Sequence, residues 1–305
     1  MIRKHTRRAA KAAFAVALGV AIIVGGAAAA PAAPSKSTAT PIIIGTKNFP
    51  EQYVLGQLYK QALEAKGLKV SYKENIGSTE LIGKALTSGK ITMYPEYTGV
   101  ILSVTFHRTT TPSSALATYN LAKSLYAKKG FTLLKQTPFE DKDVVAVLKT
   151  TANKYGLKTI ADLKKVPDLS LAAFPEFQTR RIPQMKSLYG VSGFKFVPLA
   201  GISAYQLLDQ GKVLAADVFT TDPQLISNKY ALLSDPKNMF GFQHVAPIVK
   251  KGVVTENGAT FSSTVNKVSA LLTTKAMIAM NKAVIVDKKS AAKVAAAFLK
   301  ANGLG

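Results

Sequence analysis

Apolar positions along the chain predict an alternation of strands and helices that begins at residue 41. The β-branched run 41–45 is typical of a buried strand, and from Pro50 the apolar residues recur at helical spacing. A strand over 69–74, a helix through 81–86 and a strand over 91–94 follow. This βαβαβ order predicts a parallel sheet, in which ligands bind beyond the carboxyl ends of the strands.

The pattern continues as a second α/β set and closes with helices. Strands are predicted at 131–134, 143–148, 169–173, 196–197, 213–219 and 245–249, and helices at 116–128, 182–189, 205–210 and, in succession, 261–302. Two such units and a helical return predict an α/β fold of two lobes with a ligand cleft between them. We assign residues 42–140 and 248–305 to the first lobe and residues 141–247 to the second.

The N-terminal segment has a different pattern, which is typical of export. Its first eleven residues include five basic and no acidic side chains, an apolar run spans 12–30, and small residues with prolines follow. We predict a secretory signal over 1–33 and a linker over 34–41; the alternative is a membrane anchor that stays uncut. Because the chain has no cysteine, we expect an exported protein without a lipid anchor, in the periplasm or at the extracellular face of the membrane.

The formal net charge of +23 raises the question of nucleic-acid binding. About +18 remains once the five basic residues of the predicted signal are removed, mostly as scattered lysines. No cluster of Arg and Lys is interleaved with aromatic residues that could stack on bases, so we expect no nucleic-acid partner. Dispersed lysines suit a solvated surface or attraction to anionic envelope polymers, which leaves an envelope-adhesion protein as one alternative.

Residues that could carry catalysis or hold a metal are sparse. The only histidines are His5, His107 and His244, and neither a G-x-S-x-G nor an H-E-x-x-H motif occurs. The glycines lack the spacing of a phosphate-binding loop. The sequence therefore predicts a protein that is not an enzyme and that uses no cofactor and no metal.

Polar and aromatic side chains stand instead where predicted strands end or helices begin. They are Lys47, the segment 94–99, Asp141, Asp143, Arg180 and the segment 219–222. Each of these positions could face the crevice between the lobes. Each also has an ordinary structural reading, since aromatic residues at strand ends are usually core, a lone arginine is usually a surface charge, and Thr-Thr-Asp is typical of a helix N-terminus.

Several longer runs around these positions follow one another in a recognisable order. They are GTKNFPEQYVLGQL (45–58), GKITMYPEYTGVIL (89–102), FEDKDVVAV (139–147), YGLKTIADL (155–163), PEFQTR (175–180), VFTTD (218–222) and VAPIVKKG (245–252). With the closing helices they resemble, over residues 42–304, the substrate-binding proteins of glycine betaine/choline/osmoprotectant ABC transporters, the OpuAC or ProX-like family.

The resemblance implies a type II periplasmic-binding-protein fold whose lobes close about a hinge on a small solute. In the family's betaine binders the ammonium lies among aromatic rings, and the carboxylate meets basic and hydroxyl groups. By match to the family's motifs, Tyr97 is a cage residue, Lys47 and Arg180 hold a carboxylate, and Asp141 is a cleft acid. The predicted ligand-binding residues are Lys47, Tyr97, Thr98, Asp141, Asp143, Arg180, Phe219, Thr220 and Gln243. The implied partners are the solute and an ABC-transporter permease in the membrane.

The chain departs from the family's aromatic cage at several positions. Phe219 replaces a tyrosine, Asp143 replaces the aromatic residue after the acidic pair, Gln243 replaces a late-strand tyrosine, and there is no tryptophan. We expect Tyr97 and Phe219 to face a betaine-like cation and Asp143 to attract it by charge. The thinner, more acidic cage also leaves open a receptor for another amino-acid-like zwitterion, because a primary ammonium suits an acid better than a ring.

Overall fold

The computed structural model describes residues 39–305, which form two β-sheets and the helices around them. The predicted signal over 1–33, and most of the predicted linker, lie outside the described residues. The strands are β1 (Ile42–Gly45), β2 (Val70–Lys73), β3 (Met93–Tyr97), β4 (Phe131–Leu133), β5 (Asp143–Leu148), β6 (Ser170–Ala173), β7 (Lys195–Pro198), β8 (Ala215–Phe219), β9 (Tyr230–Leu232) and β10 (Val245–Lys250).

Helices occupy most of the remaining chain. They are α1 (Pro50–Glu64), α2 (Thr79–Thr87), α3 (Thr98–Val100), α4 (Ala115–Ala127), α5 (Lys149–Tyr155), α6 (Pro175–Arg180), α7 (Ile182–Gln184), α8 (Ala204–Asp209), α9 (Lys251–Glu256), α10 (Gly258–Leu271), α11 (Thr274–Ile285) and α12 (Ala291–Ala301). Short 3₁₀ helices span Ile160–Lys165 and Pro223–Ser227, and π-helical turns span Ile101–Thr105 and Met185–Tyr189.

The first sheet has the strand order β2-β1-β3-β10-β4. As the sequence predicts, β1 pairs in parallel with β2 and β3. The sheet as a whole is mixed, because β10 returns from the second sheet and runs antiparallel to β3 and β4. β3 continues to Tyr97, beyond its predicted end at residue 94. Pro95 does not stop it because it lies opposite Pro247 of β10, so that two residues without an N–H donor face each other.

The second sheet has the order β7-β6-β8-β5-β9. β6 pairs in parallel with β7 and β8, whereas β5 runs antiparallel to β8 and β9. The apolar pattern does not predict β9, because three residues are too few to show a period. Helices α5 and α6, of seven and six residues, are also not predicted.

Both sheets are buried on two faces, so each sheet with its helices forms one lobe. Along β10, Val245 and Val249 join the apolar cluster under α1, α10 and α12, while Ala246 and Ile248 join the cluster under α2 and α4. Along β5, residues likewise alternate between a cluster that contains Phe177 and one that contains α8. Continuous apolar runs are typical of strands covered on both sides.

Two chain segments, 134–142 and 233–244, connect the lobes. They run side by side, with a β-bridge between Glu140 and His244 and a hydrogen bond from the Asp141 N–H to the Gln243 carbonyl (3.2 Å). A third contact lies outside these crossings, where α11 of the first lobe packs against the 3₁₀ helix Pro223–Ser227 of the second.

In the described part of the chain, no single helix is long and apolar enough to cross a membrane. Only α10 and α11 taken together meet that test by length and composition, and they are bent by 88°.

Candidate functional site

The predicted site residues lie at the ends of strands that face the crossings between the lobes. Tyr97 is the last residue of β3 and Phe219 the last of β8, while Asp143 is the first of β5. Lys47 follows β1 by two residues, and Gln243 precedes β10 by two. Because these strand ends meet at the crossings, the topology places the residues around the cleft between the lobes.

Lys47 is buried and engaged within the first lobe. Its ammonium lies 2.6 Å from Glu96 Oε1 and 3.3 Å from the Thr79 hydroxyl. The same nitrogen is 4.6 Å from the centroid of the Tyr97 ring and 5.7 Å from that of Phe49, and these two rings stack on each other. In this arrangement the Lys47 ammonium is paired with Glu96 and already covers a face of the Tyr97 ring.

A hydrogen-bonded network joins the two lobes beneath Tyr97. The Tyr97 hydroxyl donates to Glu51 Oε1 (2.8 Å), and Asn281 Nδ2 donates both to Glu51 Oε2 (2.8 Å) and to the carbonyl of Thr221 (3.1 Å). The Thr221 hydroxyl in turn donates to Asp141 Oδ1 (2.9 Å). The network therefore connects Tyr97 of the first lobe with Asp141 at the crossing.

Carboxyl groups in this region have raised pKa values because they are withdrawn from water. Burial raises the pKa of Glu51, against hydrogen bonds from Asn281, Thr221 and Tyr97. Burial raises the pKa of Asp141 well above its usual range, and the Glu51 carboxylate adds to the shift. Burial likewise raises the pKa of Tyr97, so its hydroxyl remains a donor.

Two adjacent arginines have opposite environments. Arg181 lies 3.5 Å from Asp143 Oδ2 and also donates to the Met239 carbonyl (2.7 Å) and to Gln184 Oε1 (3.0 Å). Arg180 is exposed and makes no ion pair with any residue of the described range. Burial raises the pKa of Asp143, and Arg181 opposes that shift. Both arginines line the same two cavities, but only Arg180 has no ion-pair partner among the described residues.

Thr98 and Gln243 fix the start of α3. The Thr98 hydroxyl donates to the Phe242 carbonyl (3.2 Å), and the Thr98 N–H donates to the His244 carbonyl (2.9 Å). Gln243 Oε1 accepts from the Val100 N–H (3.1 Å). A Cβ on Gly99 would lie 2.7 Å from both Gln243 Nε2 and the Phe242 carbonyl, so the close approach requires glycine.

Thr220 and Phe219 have different surroundings, although they are adjacent in sequence. The Thr220 hydroxyl donates to the Glu140 carbonyl (2.7 Å) and accepts from the Lys142 N–H (3.1 Å), which ties the end of β8 to the first crossing. Phe219 is 40% exposed, and its N–H donates to Asp222 Oδ2 (2.9 Å). The Phe219 ring is therefore exposed, while Thr220 fastens the end of β8 to the first crossing.

Three cavities lie along the cleft. One of about 370 Å³ has walls from both lobes and includes Arg108, Arg180 and Gln243. A second of about 190 Å³ in the second lobe is lined by Asp143, Phe174, Glu176, Phe177, Arg180, Arg181 and Asp217. A third of about 420 Å³ lies beside it and includes Phe174, Asp217 and Phe219. Lys47, Tyr97, Thr98, Asp141 and Thr220 do not line these three cavities.

Almost all of the described chain matches one known protein family. Residues 40–301 match the family described as the substrate binding domain of the ABC-type glycine betaine transport system, OpuAC. The chain belongs to this family. Its members are solute-binding proteins of transporters, which confirms the resemblance that the sequence runs suggest, and with it the α/β, two-lobed type II periplasmic-binding-protein fold.

Individual OpuAC relatives support this assignment. The glycine-betaine-binding protein of Pseudomonas aeruginosa is 30% identical over 276 residues, covering 86% of this chain and 88% of that protein. The ergothioneine transport permease/ergothioneine binding protein EgtU of Helicobacter pylori is 28% identical over 87% of this chain, which spans 48% of EgtU. A crystal structure of a glycine betaine/carnitine/choline ABC transporter shares the fold, with a TM-score of 0.80 and 22% identity over 86% of this chain and 99% of that chain.

Several residues of this OpuAC cleft are not predicted from sequence. Glu51 and Asn281 contact each other across 230 positions, so no local pattern links them. Asp217 lies within the apolar strand β8, and Phe174 directly follows the apolar strand β6. Neither residue belongs to a recognisable motif. For Asp217 one signal was available, since a carboxylate within a buried strand is unusual and demands a partner.

Metal chemistry finds no support in the described residues, 39–305. They contain no group of three or more His, Asp or Glu side chains placed to hold a metal ion.

Proposed function

We propose that this protein captures small solutes that carry an ammonium group, of the glycine betaine and choline type, and delivers them to a membrane permease. The observation that carries the proposal is the gathering of carboxylates in the cleft of an OpuAC fold. The chain has 17 acidic residues against 40 basic ones. The acids of the cleft are Glu51, Asp141, Asp143, Asp217 and Asp222.

Clustered, buried carboxylates are costly without a cation. Burial raises the pKa of all five cleft acids, and neighbouring cleft carboxylates raise those of Glu51, Asp141 and Asp217 further. A bound ammonium group relieves this repulsion, because opposite charge favours the ionised form. A strongly basic protein therefore presents to its solute a cluster of acidic groups whose ionisation a cation favours.

The proposed roles follow the exposure of the side chains. Phe219 offers a ring face, Asp143 offers charge, and Arg180 binds a carboxylate where the solute has one. Lys47 supports the site from within the first lobe through Glu96 and the Tyr97 ring, rather than as a direct carboxylate ligand. Thr98, Asp141, Thr220 and Gln243 hold the strand ends around the solute.

We also propose where the lobes meet and how they move. The second crossing ends before Val245, since β10 pairs within the first sheet. The lobes are then 42–140 with 245–305, and 141–244, and the paired crossings at Glu140 and His244 act as the hinge. A solute between lobes enters only if they open.

Delivery to a permease places the protein outside the cytoplasmic membrane. This part of the proposal rests on the family and on the export-type sequence of residues 1–33. Fractionation of cells that express the tagged full-length chain is expected to recover it outside the cytoplasm. Deletion of the gene is expected to lower uptake of the recognised solute. Recovery with cytoplasmic markers would contradict the proposal.

A thermal-shift screen tests the proposed ligand class. The purified protein is screened against glycine betaine, choline, carnitine and ergothioneine, because a ligand at about a hundred times its dissociation constant adds about 2.7 kcal/mol to the free energy of unfolding. We expect at least one to raise the melting temperature, with glycine betaine at the weaker end because the cage has few rings. The matched control is the neutral carbon analogue of choline, in which a tert-butyl group replaces the trimethylammonium. An equal shift by this analogue, or no shift by the whole panel, would refute the proposal.

A further inference from the structure

Asp217 is a buried acid of the cleft with an oxygen atom that lacks a hydrogen-bond partner. Its side chain is 8% exposed, and among residues 39–305 its Oδ1 atom has no hydrogen-bond partner. The residue lines two adjacent cavities of the second lobe, of about 190 and 420 Å³. Buried polar atoms in native proteins nearly always have a partner, so an unpaired carboxylate oxygen facing a cavity requires an explanation.

The strand register places Asp217 next to Asp143 on one face of the second sheet. In the antiparallel pair of β5 and β8, Asp217 lies opposite Val145, and Asp143 lies opposite Phe219. Side chains alternate along a strand, so Asp143, Asp217 and Phe219 share one face, and diagonal neighbours there are about 7–8 Å apart. Arg181 pairs with Asp143 and with the Met239 carbonyl, and makes no hydrogen bond to Asp217 within the described range. The Asp217 carboxyl group is therefore left without a direct hydrogen-bond or ion-pair partner among the described residues.

An aromatic ring stands beside this carboxylate. Phe174 follows β6 directly, is 52% exposed, and lines both cavities that Asp217 lines. A large exposed ring at the edge of a carboxylate pocket contributes little to the core. A ring face next to an anion is, however, a favourable environment for an ammonium group, which gains both cation–π and Coulombic attraction.

Arg180 connects this pocket with the space between the lobes. It lines the 190 Å³ cavity together with Asp217, and it also lines the 370 Å³ cavity together with Arg108. A zwitterion with its ammonium at Asp217 would thus direct its carboxylate outward to Arg180. This order of charges, anionic inside and cationic at the rim, matches the order of charges in a betaine-like solute.

We propose that Asp217 and Phe174 form the seat for the ammonium group of the captured solute in the second lobe, and that Asp217 determines the preference for cations. The proposal rests on the proposed function, since it names the part of the same cleft that reads the cationic head. Neither Asp217 nor Phe174 is among the ligand-binding residues predicted from the sequence. The proposed ammonium site is also distinct from Tyr97, because Lys47 covers a face of the Tyr97 ring.

The titration of Asp217 gives this proposal a second readout. Burial raises the pKa of Asp217 well above its usual range, Asp143 and Asp222 raise it further, and Arg181 opposes them. Arg180 and Glu176 also line the cavity. An arriving ammonium favours the ionised carboxylate, so binding is expected to release a proton in the pH range where Asp217 titrates.

The test compares Asp217→Asn with the unmodified protein in titration calorimetry, using the panel member that binds most tightly. The amide keeps the size of the side chain but removes the charge, so we expect the dissociation constant to rise about ten-fold or more. Proton release, measured in buffers of different ionisation enthalpy, is expected to fall. Phe174→Ala, at an exposed position, is expected to weaken binding about two-fold or more. Asp209→Asn, on α8 of the same lobe, is the matched control and is expected to leave affinity unchanged.

The outcomes separate this inference from the proposed function. Tight binding by the unmodified protein with equal affinity in Asp217→Asn would overturn the inference and leave the proposed function standing. Failure of the whole panel to bind the unmodified protein would overturn both. A merely structural role predicts a lower melting temperature of the empty Asp217→Asn protein with unchanged affinity, whereas a ligand seat predicts an unchanged or higher melting temperature, because an unpaired buried acid has been removed.

Discussion

Arg180 and Arg181 show how two identical neighbours come to have different tasks. Arg181 is held by Asp143, by Gln184 and by the Met239 carbonyl, and its guanidinium lies 5.2 Å from the centroid of the Phe240 ring. Arg180 is exposed and has no ion-pair partner among the described residues, although both arginines line the same two cavities of the cleft. The first arrangement stabilises the second lobe, and the second leaves a planar cation free for a carboxylate.

Arg180→Ala is expected to weaken a carboxylated ligand about ten-fold or more, because a hydrogen bond to a charged group is worth about 1.5–3 kcal/mol. The melting temperature of the empty protein should change little. Arg181→Ala is expected to lower that melting temperature, because it leaves Asp143 and a backbone carbonyl without their partner. Calorimetry and thermal melts of the two variants check this, and equal losses of affinity in both would refute the assignment to Arg180.

At the residue scale, the sequence predicts which residues lie near the cleft better than it predicts which side chains contact one another. The motif match selects Arg180 over Arg181, and the structure leaves Arg180 free, but the partner of Lys47 is not predicted. Glu96 is the penultimate residue of β3, and only the strand pairing brings it to Lys47 across 49 positions. Such pairings depend on sheet register, which local patterns do not encode.

At the scale of elements, α11 joins the two lobes away from the paired crossings. It packs against the 3₁₀ helix Pro223–Ser227, and its Asn281 binds Glu51 in one lobe and the Thr221 carbonyl in the other. Asn281 is 3% exposed, so these hydrogen bonds form out of contact with water. Helix α11 is thus both a core helix of the first lobe and a clasp on the second.

Asn281→Ala is expected to lower the free energy of unfolding by about 1–3 kcal/mol, since it leaves the Glu51 carboxyl and a buried carbonyl with fewer donors. Urea denaturation measures the change. Lys275→Ala, at an exposed position of the same helix, is the control and should stay within about 0.5 kcal/mol of the unmodified protein. A change in Asn281→Ala as small as that of the control would show that the clasp contributes no stability.

Most of the elements follow from the alternation of apolar positions, and the exceptions have physical causes. β3 passes through Pro95 because Pro247 faces it, which no single-strand pattern shows. β9 is too short to have a period. The reversed direction of β10 follows from its return across the hinge, a property of the whole topology rather than of residues 245–250.

At the scale of the whole molecule, the chain is strongly basic overall, whereas acidic side chains are concentrated in the cleft. The chain carries a formal net charge of +23, yet buried or half-buried carboxyl groups gather where the lobes meet. A basic surface suits a protein near anionic envelope polymers, and an anionic cleft suits a cationic solute. The sequence gives the total charge but not this separation, which arises only on folding.

The raised carboxyl pKa values predict an unusual pH dependence of stability. Because burial raises the pKa of Glu51, Asp141 and Asp217, the folded protein binds more protons than the unfolded chain above about pH 4, where free carboxyls ionise. The free energy of unfolding of the empty protein should then fall as the pH rises from about 5 towards 7. The pKa of Asp162 is lowered by Lys165 and by backbone and hydroxyl donors, and that of Asp287 by Lys282. Both groups are therefore ionised throughout this window and do not oppose the trend.

Melting curves across this pH range check the expectation. The melting temperature of the empty protein should fall with rising pH, and the shift caused by an ammonium ligand should grow, since ligand binding restores a partner to the ionised acids. A melting temperature of the empty protein that rises steadily over the same range would contradict the raised pKa values of the cleft acids.

The central claim is that two lobes close on a small cationic solute, and small-angle X-ray scattering tests it most directly. Curves are recorded for the empty protein and for the protein saturated with the panel member that calorimetry shows to bind. A smaller radius of gyration is expected with the ligand, because closure about the crossings at Glu140 and His244 brings the lobes together. The neutral choline analogue should leave the curve unchanged. Identical curves with and without a ligand of confirmed affinity would show that the lobes do not close on the solute.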